Sequence, residues 1–313
     1  MQAPANSVFN APDWNVKNYF LATRPMFFTA SLLPVLLGTA IGYGLGGQFD
    51  VWALLLALLA VAFVHAGINV LNDVYDDLGG TDRINTSRIS PFTGGSRFIQ
   101  NKILSNAQMR RFGYLLLSLS VIMGAGLVLH KGYVILLYGL IGLFIGVAYS
   151  APPFMLASRA FGETAIALGF GVLPVTGAAW LQLGQFSWEA LLISIPASLW
   201  VANIIFINEV PDLNADEATG KRTLAVRIGH ESMAGIYLLS NVLACVAIYI
   251  AFSLGYVPLG TLVVPLLLLL PASYASYTIY HWSGMPEKIV VGIKSTIAIH
   301  TVGILWLLAW VNN

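Results

Sequence analysis

Two carboxylate-rich stretches hold the side chains in this sequence that could do chemistry. In the first stretch, four polar residues fall at relative positions 0, 3, 4 and 7, namely Asn69, Asn72, Asp73 and Asp76. At about 100° per residue, these positions share one face of a helix. We expect this helix to end at Gly79-Gly80, with Asp82 in the loop beyond it. Asp77 lies off the polar face, and we expect it to be solvated.

The second stretch repeats this pattern. Asn208, Asp212 and Asp216 fall at relative positions 0, 4 and 8, which again share one helical face. Pro211 is expected to bend or restart that helix, and Gly220 is expected to stop it. Each stretch reads amide, acid, valine, any residue, acid, beginning at Asn72 and at Asn208.

Amide and carboxylate oxygens without histidine or cysteine indicate Mg²⁺ rather than Zn²⁺. Basic residues follow each cluster: Arg83, Arg88, Arg97 and Lys102 after the first, and Lys221 and Arg222 after the second. Acids that hold a metal, followed by bases that neutralise phosphate oxygens, would suit a metal–diphosphate. The alternative is that the clusters are solvated helix ends and that the bases only set membrane topology.

The composition places these clusters in a membrane protein. The chain has 313 residues, of which 58% are hydrophobic and 9% charged, and its mean hydropathy is +0.78. A soluble domain carries about 25% charged residues, so a polytopic membrane protein is predicted. A net charge of +1 makes nucleic acid an improbable partner. The single cysteine, Cys245, excludes an internal disulfide and a cysteine-based metal site.

Nine apolar runs are long enough to cross a bilayer. They cover residues 26–45, 51–72, 112–130, 132–150, 162–182, 188–208, 233–254, 257–280 and 292–311. With the N-terminus on one side, fourteen lysines and arginines share that side, and only Lys131 lies opposite. The positive-inside rule makes the first side cytoplasmic. We therefore expect a cytoplasmic segment at 1–22, one transmembrane domain at 23–313, and both acidic clusters at the cytoplasmic face.

At these residues the chain resembles the UbiA superfamily of intramembrane aromatic prenyltransferases. That family carries NDxxD and DxxxD motifs after its second and sixth helices, which here read Asn72 to Asp76 and Asp212 to Asp216. "TRPMFFTASLLPVLLGTAIG" resembles its first helix, beginning at Arg24, and "AYSAPPF" resembles the close of its fourth helix, which contains Tyr149. The resemblance covers nearly the whole chain.

Further features are similar to the branch that prenylates 1,4-dihydroxy-2-naphthoate in menaquinone synthesis. They are the extended first motif with Gly80 and Asp82, the segment "GGSRFIQNKIL", and "TGKRTLAVRIG". Pro211 departs from that branch, which often has arginine there. The resemblance favours 1,4-dihydroxy-2-naphthoate as the acceptor, with 4-hydroxybenzoate, homogentisate, haem, chlorophyllide and a glyceryl phosphate lipid as alternatives.

The resemblance implies an all-α fold with nine transmembrane helices around a central cavity, Mg²⁺ at its cytoplasmic mouth, and transfer from a polyprenyl diphosphate to a small aromatic acceptor. An integral multi-pass protein follows, in the inner membrane if the source is bacterial. The implied metal ligands are Asn72, Asp73, Asp76, Asp212 and Asp216. The implied diphosphate contacts are Arg24, Asn69, Asp82, Arg83, Arg97, Lys102, Asn208, Lys221 and Arg222.

The same resemblance makes Asp73, Asp76, Asp212, Asp216 and Tyr149 the catalytic residues. The ring of Tyr149 could stabilise an allylic cation, or it could be an aromatic at the membrane interface. His65 and His300 are expected to be packed, hydrogen-bonded histidines rather than bases. A cation transporter is the alternative from another class, although the spans hold almost no charges.

Overall fold

The computed structural model describes residues 15–282 and 286–311, so the expected segment 1–22 lies mostly outside the described residues. Within those ranges the chain is helical and contains nine long helices. They are α1 (Thr29–Gly44), α2 (Val51–Gly79), α3 (Asn106–Lys131), α4 (Val134–Ser150), α5 (Gly162–Leu183), α6 (Trp188–Ala218), α7 (Leu224–Ser253), α8 (Val263–Tyr280) and α9 (Ile289–Trp310). Short helices and turns link them at Val16–Ala22, Pro25–Phe27, Thr81–Ile84, Leu156–Arg159, Leu259–Leu262 and Pro286–Lys288.

The nine predicted spans correspond one to one with these helices. Eight of the described helical segments have the length and hydropathy to cross a membrane, and α4, with 17 residues, is a shorter apolar helix. Helix α3 begins before its apolar run at 112–130, at the capping box that the sequence "SNAQ" (Ser105 to Gln108) predicts. A capping box formed by Ser105 and Gln108 starts the helix at Asn106, because their side chains satisfy the amides that a helix start leaves unpaired.

Two other boundaries differ from the sequence prediction. Helix α6 continues through Pro211 to Ala218 without restarting, so the second acidic stretch is the last part of one 31-residue helix. Helix α7 begins at Leu224, and its first turn is separated from the remainder at Gly229, whose φ of 76° is non-helical. Glycine tolerates this conformation at little cost.

The helices pack as close neighbours, with α2 mainly against α3, α6 against α7, and α1 against α5. Small residues permit the close approaches. A Cβ added at Gly38 would lie 2.1 Å from the carbonyl oxygen of Val175, and one at Gly171 would lie 2.0 Å from Ser198 Oγ. Glycine permits such close approach of helix backbones, which is common in membrane helix bundles.

Two adjoining cavities lie within the first six helices. The large cavity, of about 320 Å³, lies between α1, α2, α3, α4 and α5 and is lined almost wholly by apolar side chains. The small cavity, of about 120 Å³, lies between the start of α1 and helices α2, α5 and α6. Tyr149, Ile68 and Phe170 line both cavities. Helices α7, α8 and α9 pack behind α6 and along each other.

Candidate functional site

The first acidic motif lies on the last two turns of α2. Gly80, with φ of 85°, caps the helix, as the sequence predicted. Asp77 is buried rather than solvated, so that expectation was wrong. Its carboxylate pairs with Arg83 at 3.2 Å and accepts hydrogen bonds from Gln100 and Asn106. Asp77 therefore fastens the chain after α2 to the start of α3 and is separate from the polar face.

Asp73 is 2% exposed and is bound on both carboxylate oxygens. The guanidinium of Arg24 pairs with Oδ1. The backbone amide of Ser96 donates to Oδ2 at 3.0 Å, and the Ser96 hydroxyl donates to the same oxygen. Charge-assisted hydrogen bonds of this kind are among the strongest that proteins make. They join α2, the start of α1, and the loop formed by residues 85–105.

That 85–105 loop passes directly over the acids. A Cβ added at Gly95 would lie 2.7 Å from Asp82 Oδ2 and 3.1 Å from Asp73 Oδ1. The φ of Gly95 is 72°, so both the conformation and the space require glycine. Arg97 donates a hydrogen bond to the backbone carbonyl of Asp82. The loop backbone is therefore inserted between two carboxylates.

The carboxylates of the first motif are crowded. Burial, together with the nearby carboxylates of Asp76 and Asp73, raises the pKa of Asp82 to about 8, against the opposing effect of Arg24 and Arg97. Like charges that share a buried site cannot all ionise without a compensating cation. The raised pKa therefore favours a proton on Asp82 at neutral pH, and a nearby cation would favour the ionised carboxylate instead.

The second motif faces the first and is held by donors from elsewhere. Asp212 accepts a hydrogen bond from the Asn85 amide at 2.6 Å and from the Gly94 backbone at 3.1 Å. Both donors belong to the 85–105 loop. One loop thus contacts the acids of both motifs.

Lys221 joins the motifs directly. Its ammonium lies 2.7 Å from Asp76 Oδ1 and 3.3 Å from Asp216 Oδ1. Burial opposes the charge of Lys221, but the carboxylates of Asp76 and Asp216 raise its pKa above the usual value. A second link joins the helix ends, where the hydroxyls of Thr81 and Thr219 lie 2.9 Å apart.

The structure gathers most of the predicted site residues at this end of the bundle. Asn69 donates to the Thr23 carbonyl at 3.0 Å, and Asn72 donates to Asp76 at 3.2 Å. Both line the small cavity, together with Arg24, Tyr149 and Asn208. The side-chain oxygen of Asn208 is buried and has no hydrogen-bond partner within the described part of the chain.

Three predicted basic residues are exposed rather than buried beside the acids of the two motifs. The side chain of Arg83 is 66% exposed and is paired with Asp77. Lys102 and Arg222 are exposed, and Arg222 is anchored through its backbone amide to the Ser158 carbonyl at 2.8 Å. Their proposed contacts to diphosphate stay predictions.

Sequence reasoning missed the neutral donors that orient the acids. These are Asn85, Gly94, Ser96 and Gln100. The signal was the paired glycines of "TGGSR", since adjacent glycines mark backbone in conformations that other residues avoid. Gly94 and Gly95 both have positive φ, of 67° and 72°.

The two buried histidines differ. His65 is packed and hydrogen-bonded, as predicted, with Nδ1 2.8 Å from Ser31 Oγ. His300 is fully buried, but neither ring nitrogen has a hydrogen-bond partner among the described residues. The prediction of a hydrogen-bonded His300 was therefore wrong.

Comparisons with known proteins agree with this architecture. The chain is 28% identical over 239 residues to 2-carboxy-1,4-naphthoquinone phytyltransferase of Synechocystis sp., covering 76% of this chain and 74% of the relative. It is 27% identical over 286 residues to 1,4-dihydroxy-2-naphthoate octaprenyltransferase of Bacillus subtilis, covering 89% and 87%.

A solved structure has the same fold. It is a UbiA homolog from Archaeoglobus fulgidus bound to DMAPP and Mg²⁺, with a TM-score of 0.64, 20% identity, and coverage of 93% of this chain and 99% of that one. The model of the UbiA prenyltransferase family matches residues 31–288. That match takes in both acidic motifs, the 85–105 loop, the wall of the large cavity and most of the wall of the small cavity, and on this evidence the chain is a member of the UbiA prenyltransferase family.

Proposed function

We propose that this chain transfers a polyprenyl group from polyprenyl diphosphate to 1,4-dihydroxy-2-naphthoate and releases diphosphate. One observation carries the proposal: two acidic motifs meet at Lys221, at the end of a bundle that contains an apolar cavity and an adjoining small cavity. A charged head group and an apolar tail of one substrate would each find a matching environment. The proposal treats residues 23–313 as one domain.

The residues of the site fit Mg²⁺. The donors are carboxylate and amide oxygens, and the crowding that raises the pKa of Asp82 calls for positive charge. Within residues 15–282 and 286–311, no three acidic, histidine or cysteine side chains form a ready-made metal site. The site aspartates are instead paired with Arg24, Lys221 and Asn85, and water and substrate phosphate oxygens would complete the shell of a bound Mg²⁺.

Asp73, Asp76, Asp212 and Asp216 would hold the metal, with Asn72 assisting. When bound, Mg²⁺ would neutralise diphosphate oxygens and so make diphosphate a better leaving group.

Arg24, Arg97 and Lys221 are the cations nearest the acids. We assign them to the diphosphate, because guanidinium and ammonium groups bind phosphate oxygens and stabilise charge that develops on departure. Each also holds an acid or the acid-bearing chain in this structure. Substrate binding would therefore exchange carboxylate partners for phosphate partners. Asp82 and the amides of Asn69 and Asn208 would complete the diphosphate contacts.

The apolar wall of the large cavity would hold the prenyl tail and exclude water. Exclusion of water matters because water would quench an allylic cation to an alcohol. Tyr149 lines both cavities, so its ring lies where the tail and the acceptor would meet. The π face of a tyrosine attracts cations, so the ring of Tyr149 would stabilise positive charge on the reacting carbon of the prenyl group.

The small cavity suits an aromatic acceptor. Phe27, Phe92 and Phe170 contribute rings to its wall, and Arg24 and Asn208 contribute polar groups. Apolar walls with a few placed polar groups are typical of small-molecule sites. The two named relatives act on naphthalene rings that carry a carboxyl group, and this supports dihydroxynaphthoate over the other acceptors.

The acidic end is assigned to the cytoplasmic face. Fourteen of fifteen basic residues lie at that end by the topology of the spans, whereas Lys131 at the opposite end is paired with Asp50 at 2.6 Å. Cysteines introduced separately at exposed Asn101 and Tyr133 would test this with an impermeant maleimide on intact cells. We expect labelling at Tyr133 alone. Labelling at Asn101 alone would reverse the orientation.

Mass spectrometry of products tests the function. Purified protein with Mg²⁺, a mixture of polyprenyl diphosphates and several aromatic acceptors should yield prenylated dihydroxynaphthoate-derived product. The Asp76→Asn and Asp212→Asn variants should yield none while remaining folded. Preferential prenylation of another acceptor would replace the assigned substrate, and absence of any prenylated product would overturn the proposed function.

A further inference from the structure

One titratable side chain in the wall of the small cavity, His65, has no role in the proposed function. His65 lies on α2, two turns before Asp73, or about 12 Å along the helix axis. It is 5% exposed and lines the small cavity with Arg24, Asn69, Asn72, Tyr149 and Asn208. The residue therefore faces the region assigned to the aromatic acceptor.

The geometry points to His65 as the general base that removes the hydroxyl proton of the aromatic acceptor. This inference rests on the proposed function, because it requires a hydroxylated ring in the small cavity. Among the described residues that line this cavity, His65 is the side chain able to accept a proton near neutral pH. Arginine and asparagine do not act as bases there, and the tyrosine phenol already carries its proton.

Hydrogen bonding assigns the tautomer. The Ser31 hydroxyl donates to the Phe28 carbonyl at 3.1 Å, so its oxygen accepts the hydrogen of His65 Nδ1, 2.8 Å away. A neutral imidazole with Nδ1 protonated presents an unprotonated Nε2. The partner of one ring nitrogen thus prepares the other nitrogen to take a proton.

Packing fixes the ring that bears this nitrogen. The imidazole lies between Phe28 and Phe170, with ring centroids 5.3 and 4.8 Å away. A buried charge is costly in such surroundings, which favours the neutral ring in the free protein. The same contacts hold the ring in one orientation, as a base requires.

The acceptor O–H bond breaks and its proton goes to Nε2 of His65, while the electron pair left on the oxygen makes the acceptor ring more nucleophilic. A ring carbon forms the new C–C bond as the prenyl C–O bond breaks, and that electron pair leaves with diphosphate. The substituted carbon then loses its proton to the released diphosphate or, if it bears a carboxylate, loses carbon dioxide. The electrons left behind restore the aromatic ring, and the imidazolium returns its proton to the oxygen.

Paired variants separate a base from a structural histidine. The side-chain amide of an asparagine at position 65 can donate a hydrogen bond to Ser31 Oγ, as His65 Nδ1 does. It has no basic nitrogen to replace Nε2. His65→Asn should therefore retain folding and KM while kcat falls about 100-fold to 10,000-fold. Ser31→Ala removes the orienting partner and leaves the base, so its kcat should fall less than about 10-fold. His300→Asn, at a buried histidine away from both cavities, is the matched control and should keep wild-type kcat.

The experiment measures kcat and KM of each purified variant with Mg²⁺, polyprenyl diphosphate and dihydroxynaphthoate, together with thermal unfolding. Loss of kcat in His65→Asn with near-normal Ser31→Ala supports the base. A kcat for folded His65→Asn above about a tenth of wild type would overturn it. If that variant does not fold, His65→Ala with added imidazole decides: restored turnover supports the base, and no restoration overturns it. Product formation by the wild type is scored separately, so a failure of the proposed function is distinguishable.

Discussion

The two acidic motifs read alike but are held in different ways. Asp73 of the first motif is bound by a cation, Arg24, and by Ser96. Asp212 of the second motif is bound by neutral donors, Asn85 and Gly94, which belong to the loop that follows the first motif. The first motif thus has its own cation and its own loop, whereas the second depends on that same loop and on Lys221.

This difference explains how two helix ends can act as one site. The 85–105 loop contacts both motifs, and Lys221 bridges Asp76 and Asp216. Neither motif is complete alone. The groups that bind Asp212 come from the loop after the first motif, and Asp76 of the first motif is bound by Lys221, which follows the second. The comparison therefore predicts joint action of the motifs, with unequal sensitivity to changes in the loop and in Lys221.

The largest effect should come from the acids themselves. Asp73→Asn and Asp212→Asn each remove one negative charge from the proposed metal–diphosphate site, and kcat/KM should fall about 100-fold or more in both. Steady-state kinetics on folded protein measures this. Glu217→Gln, an exposed acid beside Asp216, is the control and should keep activity. Near-normal turnover in either aspartate variant would remove that motif from the site.

Lys221→Met should have the next largest effect and should separate metal from diphosphate. Without the ammonium, Asp76 and Asp216 lose their positive partner, so the half-saturating Mg²⁺ concentration should fall. The KM for polyprenyl diphosphate should rise about 10-fold, because a phosphate contact is lost. Titrations of Mg²⁺ and of substrate check both. Lys221→Arg should stay close to wild type, and an unchanged KM in Lys221→Met would remove Lys221 from the diphosphate site.

Gly95→Ala should act through the first motif. The added Cβ meets Asp82 Oδ2 at 2.7 Å in a backbone conformation with φ of 72°, so the loop must move away from the acids. We expect kcat/KM to fall about 10-fold, with a loss of stability of about 1 kcal/mol. Gly79→Ala is matched, since a Cβ there meets nothing within 4 Å. Equal behaviour of the two variants would contradict the close passage of the loop.

Arg83→Ala should have the smallest effect. The side chain is 66% exposed and paired with Asp77, and exposed ion pairs contribute at most about 1 kcal/mol. Activity should stay within about twofold of wild type, measured in the same assay. A large rise in the KM for polyprenyl diphosphate would instead support the contact between Arg83 and diphosphate that the sequence predicted.

The shared helical face of the acids and the apolar spans could be predicted, because both depend on local spacing and composition. Asn72, Asp73 and Asp76 follow helical periodicity, and Gly80 caps the helix where the Gly79-Gly80 pair predicted its end. The orientation of the acids could not be predicted, because it depends on contacts far apart in the sequence. Asn85 is 127 residues from Asp212, and Lys221 is 145 residues from Asp76.

Asp77 illustrates the limit of periodicity. Its position places it off the face of Asp73 and Asp76, but the face it occupies is covered by Gln100 and Asn106, which follow the helix in the chain. Periodicity states which residues share a face, and tertiary packing decides whether that face meets water. The same limit applied to His300, which is fully buried and has no hydrogen-bond partner among the described residues.

Binding of a non-hydrolysable polyprenyl thiodiphosphate, measured by calorimetry with and without Mg²⁺, tests the joint action of the two motifs most directly. Wild type, Asp73→Asn, Asp212→Asn and the double variant form a thermodynamic cycle. If the motifs hold one metal–diphosphate together, each single variant loses Mg²⁺-dependent binding, and the double variant loses no more than either. Independent losses that add in the double variant, or Mg²⁺-dependent binding that survives in one single variant, would contradict the account.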